Sequence, residues 1–212
     1  MTQLIHRSRL PQTPTNGRLP AVVMVHGWQG NEKVMGIFER TVPPGVVIVS
    51  PRAPVEVGAD SYGWYVADSV EAGFEAGLEA LRAFVRWLPE AYAVDPERML
   101  LMGFSQGAAM SCALLLSDPG LIRGVAALAG FLPNPARRWL APGRLAGKMV
   151  FIAHGTLDET LPVAQARAAR DDLAQAGATV AYHEYEVGHK LNVQGVRDLT
   201  HWLAAQLSAE QT

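Results

Sequence analysis

Short, continuously apolar runs alternate with longer segments of helical periodicity along this chain of 212 residues, and that alternation limits its fold more than any other feature. Strands that are apolar on both faces are typical of a parallel sheet covered on both sides. Such alternation predicts an α/β fold with a mostly parallel, doubly wound sheet and helices on both faces. The predicted strands are residues 21–25, 46–49, 99–104, 124–128, 149–153 and 180–186.

The segments between the strands carry apolar residues at helical spacing. The first has a stripe formed by Val70, Phe74, Leu78, Leu81, Val85 and Leu88, which is typical of an amphipathic helix. Further helices are predicted at residues 106–116, 163–176 and 193–207, and residues 4–10 are predicted to form an antiparallel edge strand. Because we find no internal repeat, low-complexity tract or linker, residues 1–212 are predicted to form a single domain.

Composition argues against several other classes of protein. The formal net charge of -2 provides no electrostatic footprint for nucleic acid. No apolar run approaches the roughly 18 residues that span a bilayer, so stable membrane insertion is not expected. Residues 1–10 lack the apolar stretch of a secretory signal, and the single cysteine, Cys112, cannot form an internal disulfide. We therefore expect a cytoplasmic protein, and the sequence leaves a homodimer open.

The pentapeptide Gly103-Phe104-Ser105-Gln106-Gly107 lies between a predicted strand and a predicted helix. In that context G-x-S-x-G is typical of a nucleophile elbow, a sharp turn that projects the serine hydroxyl above the sheet. The glycines on either side allow close approach of neighbouring backbone. The N-terminus of the following helix favours a developing oxyanion. The motif therefore predicts Ser105 as the nucleophile of an acyl transfer.

A serine hydroxyl needs a neighbouring base to accept its proton, and histidine is the usual base near neutral pH. With this elbow the acid and then the histidine follow the serine along the chain, each on a loop after a strand. His189 lies just after the last predicted strand and is the predicted base. Asp158 lies in the loop after the preceding strand and is predicted to orient the histidine.

Other residues fit these two positions less well. His183 and His201 fall within a predicted strand and a predicted helix, which favours packing or surface roles. His154 ends a predicted strand but precedes every candidate acid of its loop. Glu159 adjoins Asp158 and is its main rival for the role of the acid.

Acyl transfer also needs donors for the negative charge that develops on the substrate oxygen. One donor is predicted to be the backbone N–H of Gln106, the residue after the nucleophile. The second is expected from the loop after the first buried strand, at the backbone of Trp28. His26 lies in the same loop but precedes Ser105, and is predicted to support the loop. The histidines lack metal-ligand spacing such as H-E-x-x-H, so no metal site is expected.

With these pieces assembled, the chain resembles the phospholipase/carboxylesterase family of small α/β-hydrolases, which includes acyl-protein thioesterases. The resemblance implies an α/β-hydrolase fold with a minimal lid or none, no cofactor, and a triad of Ser105, Asp158 and His189. It also implies that Trp28 and Gln106 provide the oxyanion hole. The matching blocks follow the family's order over most of the chain: Val25-His26-Gly27-Trp28, Pro51-Arg52-Ala53-Pro54, Gly103-Phe104-Ser105-Gln106-Gly107, His154-Gly155-Thr156-Leu157-Asp158 with Pro162, and Gly188-His189.

Apolar residues beside these blocks are candidates to line an acyl pocket. Many relatives have leucine where Trp28 stands, which predicts a narrower mouth here. The strongest candidates are Trp28, Trp64, Leu161 and Leu191, and further ones are Tyr65, Phe131, Leu132 and Leu157. Because no basic cluster near the site demands an anionic headgroup, the expected small-molecule substrates are neutral esters or thioesters with short to medium acyl chains.

The sequence thus predicts a carboxylesterase or thioesterase that works through an acyl-Ser105 intermediate. A lysophospholipase is the enzymatic alternative, since the family also contains such enzymes. A non-catalytic binding module on a hydrolase scaffold is the alternative from another class, because fold does not fix function. The presence of a competent residue at every catalytic position argues against that second alternative.

Overall fold

A computed structural model describes residues 3–12, 17–66 and 70–207. Within those residues the main sheet has the strand order β1-β3-β2-β6-β7-β8-β9, and β4 and β5 form a separate hairpin. All neighbours in the main sheet are parallel except β1, which runs antiparallel to β3. The strands are β1 (His6–Arg9), β2 (Leu19–Val25), β3 (Val47–Pro51), β4 (Val55–Gly58), β5 (Ser61–Gly63), β6 (Val94–Phe104), β7 (Gly124–Leu128), β8 (Met149–Gly155) and β9 (Thr179–Tyr185).

Helices cover both faces of this sheet, as the alternating sequence pattern predicts. One face packs against α1 (Val70–Ala91), α2 (Gln106–Ser117) and α3 (Val163–Gln175). The other packs against α4 (Val193–Leu207) and a 3₁₀ segment at Val34–Thr41. Further 3₁₀ segments are Pro119–Leu121 and Asn134–Trp139.

Burial of both strand faces explains the continuous apolar runs. Every residue of β3 and β7 is buried, and so is every residue of β2 after its first. Within β2, Val22 and Met24 pack into one core cluster, whereas Val23 and Val25 pack into the other. This pattern is expected when successive side chains point to opposite faces of a sheet that is covered on both sides.

The predicted α/β architecture is confirmed, including the antiparallel edge strand β1, and the differences are local. Strand β6 begins at Val94, five residues before the predicted start at residue 99, because Val94 pairs with Leu19 ahead of a polar stretch. The β4–β5 hairpin and the 3₁₀ segments, which are short, were not predicted. The side chain of Val70, included in the predicted helical stripe, lies outside the described part of the chain.

Helix α1 is the longest in the described part of the chain, with 22 residues and Pro89 near its end. Its apolar stripe is buried, and Phe74, Leu78 and Leu81 have no exposed surface. Among the described residues, no helix combines the length and the apolar composition needed to cross a membrane.

The carboxyl ends of the parallel strands lie along one edge of the sheet, the edge where ligands bind in folds of this type. The loop after β2 begins at His26, and the turn after β6 contains Ser105. Asp158 follows β8, and His189 follows β9. The topology therefore gathers the motifs at one edge, although they are far apart along the chain.

Candidate active site

Ser105 occupies a strained turn between β6 and α2. Its φ of 53° and ψ of -118° lie where non-glycine residues rarely occur, at a cost of about 1–3 kcal/mol. The backbone N–H of Ser105 donates to Leu128 O at 2.9 Å. A Cβ atom on Gly107 would lie 2.1 Å from Val25 O, and one on Gly103 would lie 2.4 Å from Gly107 O. Glycine is thus required at both flanking positions by the close approach of backbone.

His189 and Asp158 are directly hydrogen-bonded. Nδ1 of His189 donates to Oδ2 of Asp158 at 2.7 Å. The other carboxylate oxygen, Oδ1, accepts the backbone N–H groups of Thr160 and Leu161, each at 2.9 Å. Glu159, the rival acid in the sequence, is exposed to solvent. The structure therefore brings His189 to Asp158 and fixes the carboxylate through two backbone donors.

The electrostatic balance at Asp158 favours the ionised carboxylate. Burial on its own raises the pKa of this carboxyl, since the side chain has no exposed surface. The N–H of Leu161, the His189 ring and the N–H of Thr160 outweigh burial and hold the pKa below its ordinary value. A carboxylate that accepts several hydrogen bonds stays charged even in a buried position.

The loop after β8 and the loop after β9 are joined by their backbones. Thr156 N donates to Tyr185 O at 2.8 Å, and Leu157 N donates to Val187 O at 3.0 Å. These bonds hold the acid-bearing loop and the histidine-bearing loop as one unit.

Ser105 and His189 line the same cleft, which has a volume of about 710 Å³. This volume lies within the usual range for small-molecule sites. The Phe104 ring meets the His189 ring edge-on, with 5.0 Å between the ring centres. The imidazole is thus held on one side by a carboxylate and on another by an aromatic ring.

The loop after β2 directly abuts the nucleophile. A Cβ atom on Gly27 would lie 3.3 Å from Ser105 Cβ, and a turn is closed by Gly30 N donating to Gly27 O at 3.1 Å. Gln106 is the first residue of α2, so its N–H has no acceptor within the helix. Of the two predicted oxyanion-hole residues, Gln106 directly follows Ser105 in the chain, and Trp28 follows Gly27, the residue that lies beside Ser105.

His26 connects this loop to neighbouring backbone, in agreement with the supporting role predicted for it. Its Nδ1 donates to Gly27 O at 2.7 Å, and its Nε2 accepts the N–H of Ala53 at 3.0 Å. The His26 ring is fully buried, and burial lowers its pKa below the ordinary value. A neutral ring with one donating and one accepting nitrogen matches both partners.

A partly buried ion pair also fixes the loop after β2. Arg52 donates through Nε and Nη2 to both carboxylate oxygens of Glu32, at 2.7 and 3.0 Å. Its Nη1 donates to Tyr62 Oη in the β4–β5 hairpin at 3.2 Å. The guanidinium beside Glu32 holds the pKa of that carboxyl below its usual range. The Pro-Arg-Ala-Pro block thus has a structural explanation, which is the attachment of three segments to one another.

Two of the predicted pocket residues lie in the cleft. Trp28 and Leu191 both line it, and Trp28 remains 42% exposed. The Trp28 ring packs on Gly63, where a Cβ atom would lie only 2.4 Å from the ring. The wall that carries Trp28 is therefore supported by the hairpin.

The prediction for Trp64 was wrong, and Leu161 is also placed differently. Trp64 has no exposed surface, because its indole N–H donates to His26 O at 2.9 Å and its backbone N–H donates to Gln106 Oε1 at 2.9 Å. Leu161 is half-buried and lies outside the cleft lining, and its N–H is directed at Asp158. Both residues bond to groups beside the cleft, and neither is among the described residues that line it.

The remaining candidates divide between two places. Tyr65, Phe131 and Leu132 line a separate depression of about 560 Å³. Leu157 is 59% exposed on the loop that carries Asp158.

Sequence reasoning missed the 3₁₀ segment Val34–Thr41, which forms one side of the cleft. Val34, Met35, Ile37 and Phe38 all line it, and Ile37 is 74% exposed. Thr160 also lines the cleft beside His189. The available signal was the density of large apolar residues between the first two buried strands.

Other chemistries find little support among the described residues. Burial raises the pKa of the Cys112 thiol to about 12, so this cysteine is not a reactive nucleophile. Within the described ranges, no group of three or more histidine, cysteine or acidic side chains is arranged to hold a metal ion.

Comparisons with known proteins identify the family of this chain. The model of the family described as Phospholipase/Carboxylesterase matches residues 12–207. The chain is 29% identical over 181 residues to acyl-protein thioesterase 1 from Eremothecium gossypii, an alignment that covers 81% of this chain and 74% of that protein.

Solved structures show the same fold. The Bacillus cereus carboxylesterase superposes with a TM-score of 0.83 at 24% identity, covering 96% of this chain and 94% of that one. Esterase PE8 also superposes with a TM-score of 0.83, at 26% identity, covering 97% of this chain and 100% of that one.

Proposed function

Because the chain belongs to the phospholipase/carboxylesterase family, we propose that it is a serine hydrolase that cleaves carboxylic esters or thioesters of short to medium acyl chains. In this proposal Ser105 is the nucleophile, His189 the general base and Asp158 the orienting acid. The observation that carries the proposal is the 2.7 Å hydrogen bond from His189 to Asp158, at the cleft that also contains the strained Ser105.

The first half of the reaction transfers the acyl group to the enzyme. His189 Nε2 accepts the proton of the Ser105 hydroxyl as Oγ attacks the acyl carbon. The N–H groups of Gln106 and Trp28 stabilise the oxyanion of the tetrahedral intermediate. When the intermediate collapses, the bond from the acyl carbon to the leaving oxygen or sulfur breaks. His189 then donates its proton to the departing alcohol or thiol.

The second half regenerates the enzyme with water. His189 accepts a proton from a water molecule, whose oxygen attacks the acyl-Ser105 ester. Collapse of the second intermediate releases the carboxylic acid and returns the proton to Ser105 Oγ. Asp158 stays ionised throughout, orienting the imidazole and stabilising its charged form.

Substrate class follows from the walls of the cleft. Apolar side chains dominate the lining, and Lys190 is the one lysine or arginine among the described residues that line it. An apolar wall favours an acyl chain over a charged group. The printed name of the Eremothecium relative, acyl-protein thioesterase 1, motivates the inclusion of thioesters.

The test is hydrolysis of p-nitrophenyl esters and acyl thioesters of graded chain length, together with lysophospholipids, by the wild type, Ser105→Ala and Ser111→Ala. Ser111 is a matched control because it lies fully buried in the same helix, where its hydroxyl donates to Gly107 O at 2.8 Å. We expect Ser105→Ala to abolish turnover and labelling by a fluorophosphonate, while Ser111→Ala retains both.

Two outcomes would contradict the proposal. Selective hydrolysis of lysophospholipids would favour the lysophospholipase alternative. A folded wild-type protein that neither hydrolyses any member of the panel nor reacts with the fluorophosphonate would favour a binding module. Cytoplasmic location, a single domain over residues 1–212 and a homodimer stay predictions.

A further inference from the structure

The buried histidine at the end of β8 has no part in the mechanism above, although it lies beside the acid. The His154 side chain has no exposed surface, and the residue is not among those that line the cleft. It therefore cannot contact a substrate in that cleft. Any effect of His154 on the reaction must pass through a neighbouring residue.

One nitrogen of His154 faces two oxygen atoms. Nε2 lies 2.8 Å from Leu161 O and 3.3 Å from Asp158 Oδ2. A carbonyl oxygen only accepts hydrogen bonds, so the proton of this imidazole resides on Nε2. The Nε2–H group thus donates a hydrogen bond to Leu161 O. It also faces Asp158 Oδ2, at a distance slightly longer than an ordinary hydrogen bond.

This N–H completes the surroundings of the Asp158 carboxylate. Two backbone N–H groups occupy Oδ1, and His189 occupies one side of Oδ2. An ionised carboxylate offers about four lone-pair positions. His154 is the fourth group to face one of them.

The second nitrogen of the ring indicates why an imidazole occupies this position. Nδ1 of His154 is buried and has no hydrogen-bond partner among the described residues. An unpaired buried polar atom is unfavourable. Packing alone would be served better by an apolar side chain, so Nε2 must provide an interaction that offsets the unpaired Nδ1.

We propose that His154 is a positioning residue, which holds Oδ2 of Asp158 toward His189 by sharing one N–H between that carboxylate and Leu161 O. The inference rests on the proposed function, because it assigns a role within the same site. His154 ties the turn from residue 158 to residue 161 to the end of β8. Without the N–H group of His154, the Asp158 carboxylate gains freedom to rotate away from the His189 ring.

Three substitutions of His154 separate the effect of losing the Nε2–H donor from the effect of changing the side-chain volume. His154→Gln can place an amide N–H at the level of Nε2, whereas His154→Met has similar length without a donor. His154→Asn carries an amide whose nitrogen reaches only the level of Nδ1. We expect the Met and Asn variants to lose about ten- to a hundredfold in kcat, as for a lost hydrogen bond to a charged group. The Gln variant should recover most of this loss, and KM should stay unchanged in all three.

His183→Phe is the matched control for the removal of a histidine. His183 lies on β9, where it stacks on Tyr185. We expect this variant to keep wild-type kcat. Thermal unfolding of every variant identifies any that fails to fold. If only the Met variant fails, the comparison of Gln with Asn decides the question.

A double-mutant cycle tests whether His154 acts through Asp158. In an Asp158→Asn background, His154→Met should produce little further loss of kcat, because the group it positions is already gone. A purely structural role would lower activity by the same factor in both backgrounds. Three results would each overturn the proposal. The first is a double variant whose loss of kcat is the product of the two single losses. The others are a His154→Gln variant as impaired as His154→Met, and a His154→Met variant with wild-type kcat.

A spectroscopic measurement tests the contact without any substrate. The proton on His189 Nδ1, bonded to Asp158, should produce a low-field proton NMR signal that Asp158→Asn removes. We expect the His154→Gln variant to keep this signal and His154→Met to shift or broaden it. If the wild type hydrolyses no ester, the proposed function fails, while the NMR signal still decides the role of His154. An unchanged signal in His154→Met would overturn the inference while leaving the proposed function intact.

Discussion

Two His-Gly dipeptides end parallel strands at the same edge of the sheet, and their histidines are used differently. His26 follows β2, and its two ring nitrogens bond to backbone, at Gly27 O and Ala53 N. His154 near the end of β8 bonds to one carbonyl, faces the Asp158 carboxylate and leaves Nδ1 without a partner among the described residues. The first arrangement supports a loop, whereas the second reaches an ionised side chain. Identical dipeptides in equivalent positions therefore do not imply identical roles.

The largest effect is expected at the acid. Asp158→Asn should lower kcat by about 10⁴-fold, because an amide no longer holds the histidine tautomer that accepts the serine proton. Glu159→Gln changes the exposed neighbour in the same way and should keep wild-type kcat. The measurement is steady-state hydrolysis of one activated ester by both variants. Loss of activity in Glu159→Gln alone would transfer the role of the acid to that residue.

The glycines of the two dipeptides provide the next comparison. A Cβ atom on Gly155 would lie 2.2 Å from Val187 O and 2.3 Å from Gly188 O, so the loop that carries His189 must move. A Cβ atom on Gly27 would meet its nearest neighbour, Phe104 O, at 3.1 Å. We expect Gly155→Ala to lower the free energy of unfolding by roughly 3 kcal/mol and Gly27→Ala by about 1 kcal/mol. Denaturant unfolding measures both, and equal losses would remove this distinction between the two loops.

The smallest effect concerns pH. Burial lowers the pKa of His26 below its ordinary value of 6.5, so between these two pKa values the unfolded chain binds a proton that the folded protein excludes. Stability should therefore fall as the pH drops below 6.5, by at most about 1.4 kcal/mol per pH unit from this group. The Asp158 carboxyl has a lowered pKa, so its contribution is present above its ordinary value of 3.8 and is lost as the pH falls through its folded pKa.

The contribution of His26 is lost below pH 6.5, whereas that of Asp158 is lost only below pH 3.8. Unfolding measurements between about pH 7.5 and pH 5 therefore report on His26 without Asp158. His26→Gln removes the titrating ring but keeps a polar side chain, so its stability should depend less on pH than that of the wild type. His183→Phe is the control for loss of a histidine elsewhere. If wild type and His26→Gln had the same slope in this range, the buried ring would not be the source of the pH dependence.

Most of the fold follows from the sequence because both faces of the central strands are buried. Continuous apolar runs placed these strands within a few residues of their observed bounds. The hairpin β4–β5 and the segment Val34–Thr41 escaped prediction, since each is short. Elements of that size owe their conformation to tertiary contacts such as the Gly30–Tyr62 bridge rather than to a local pattern.

Residues of the candidate site were predictable from the sequence where a motif fixes the backbone. They were not predictable where the direction of a side chain decides whether it lines the cleft. The elbow requires glycine two residues before and two residues after Ser105, so its motif can be recognised in the sequence. Trp64 was expected in the pocket because it follows a motif-bearing loop, yet it points inward to bond with His26 O. His154 was set aside because it precedes the acid along the chain. Its contact with Asp158 appears only once the turn from residue 158 to residue 161 closes over it.

The order of the elements along the chain also determines when a newly synthesised copy has every residue of the proposed triad. Domains fold from the N-terminal side as the chain grows. Strand β6 and helix α2 complete the strained elbow, whereas the base follows β9, the last strand to be made and an edge of the sheet. In the proposed mechanism, a nascent chain therefore carries its serine nucleophile without the histidine for about two-fifths of its length. In the proposed mechanism, copies that stall before residue 189 lack the general base, so we expect them to be inactive.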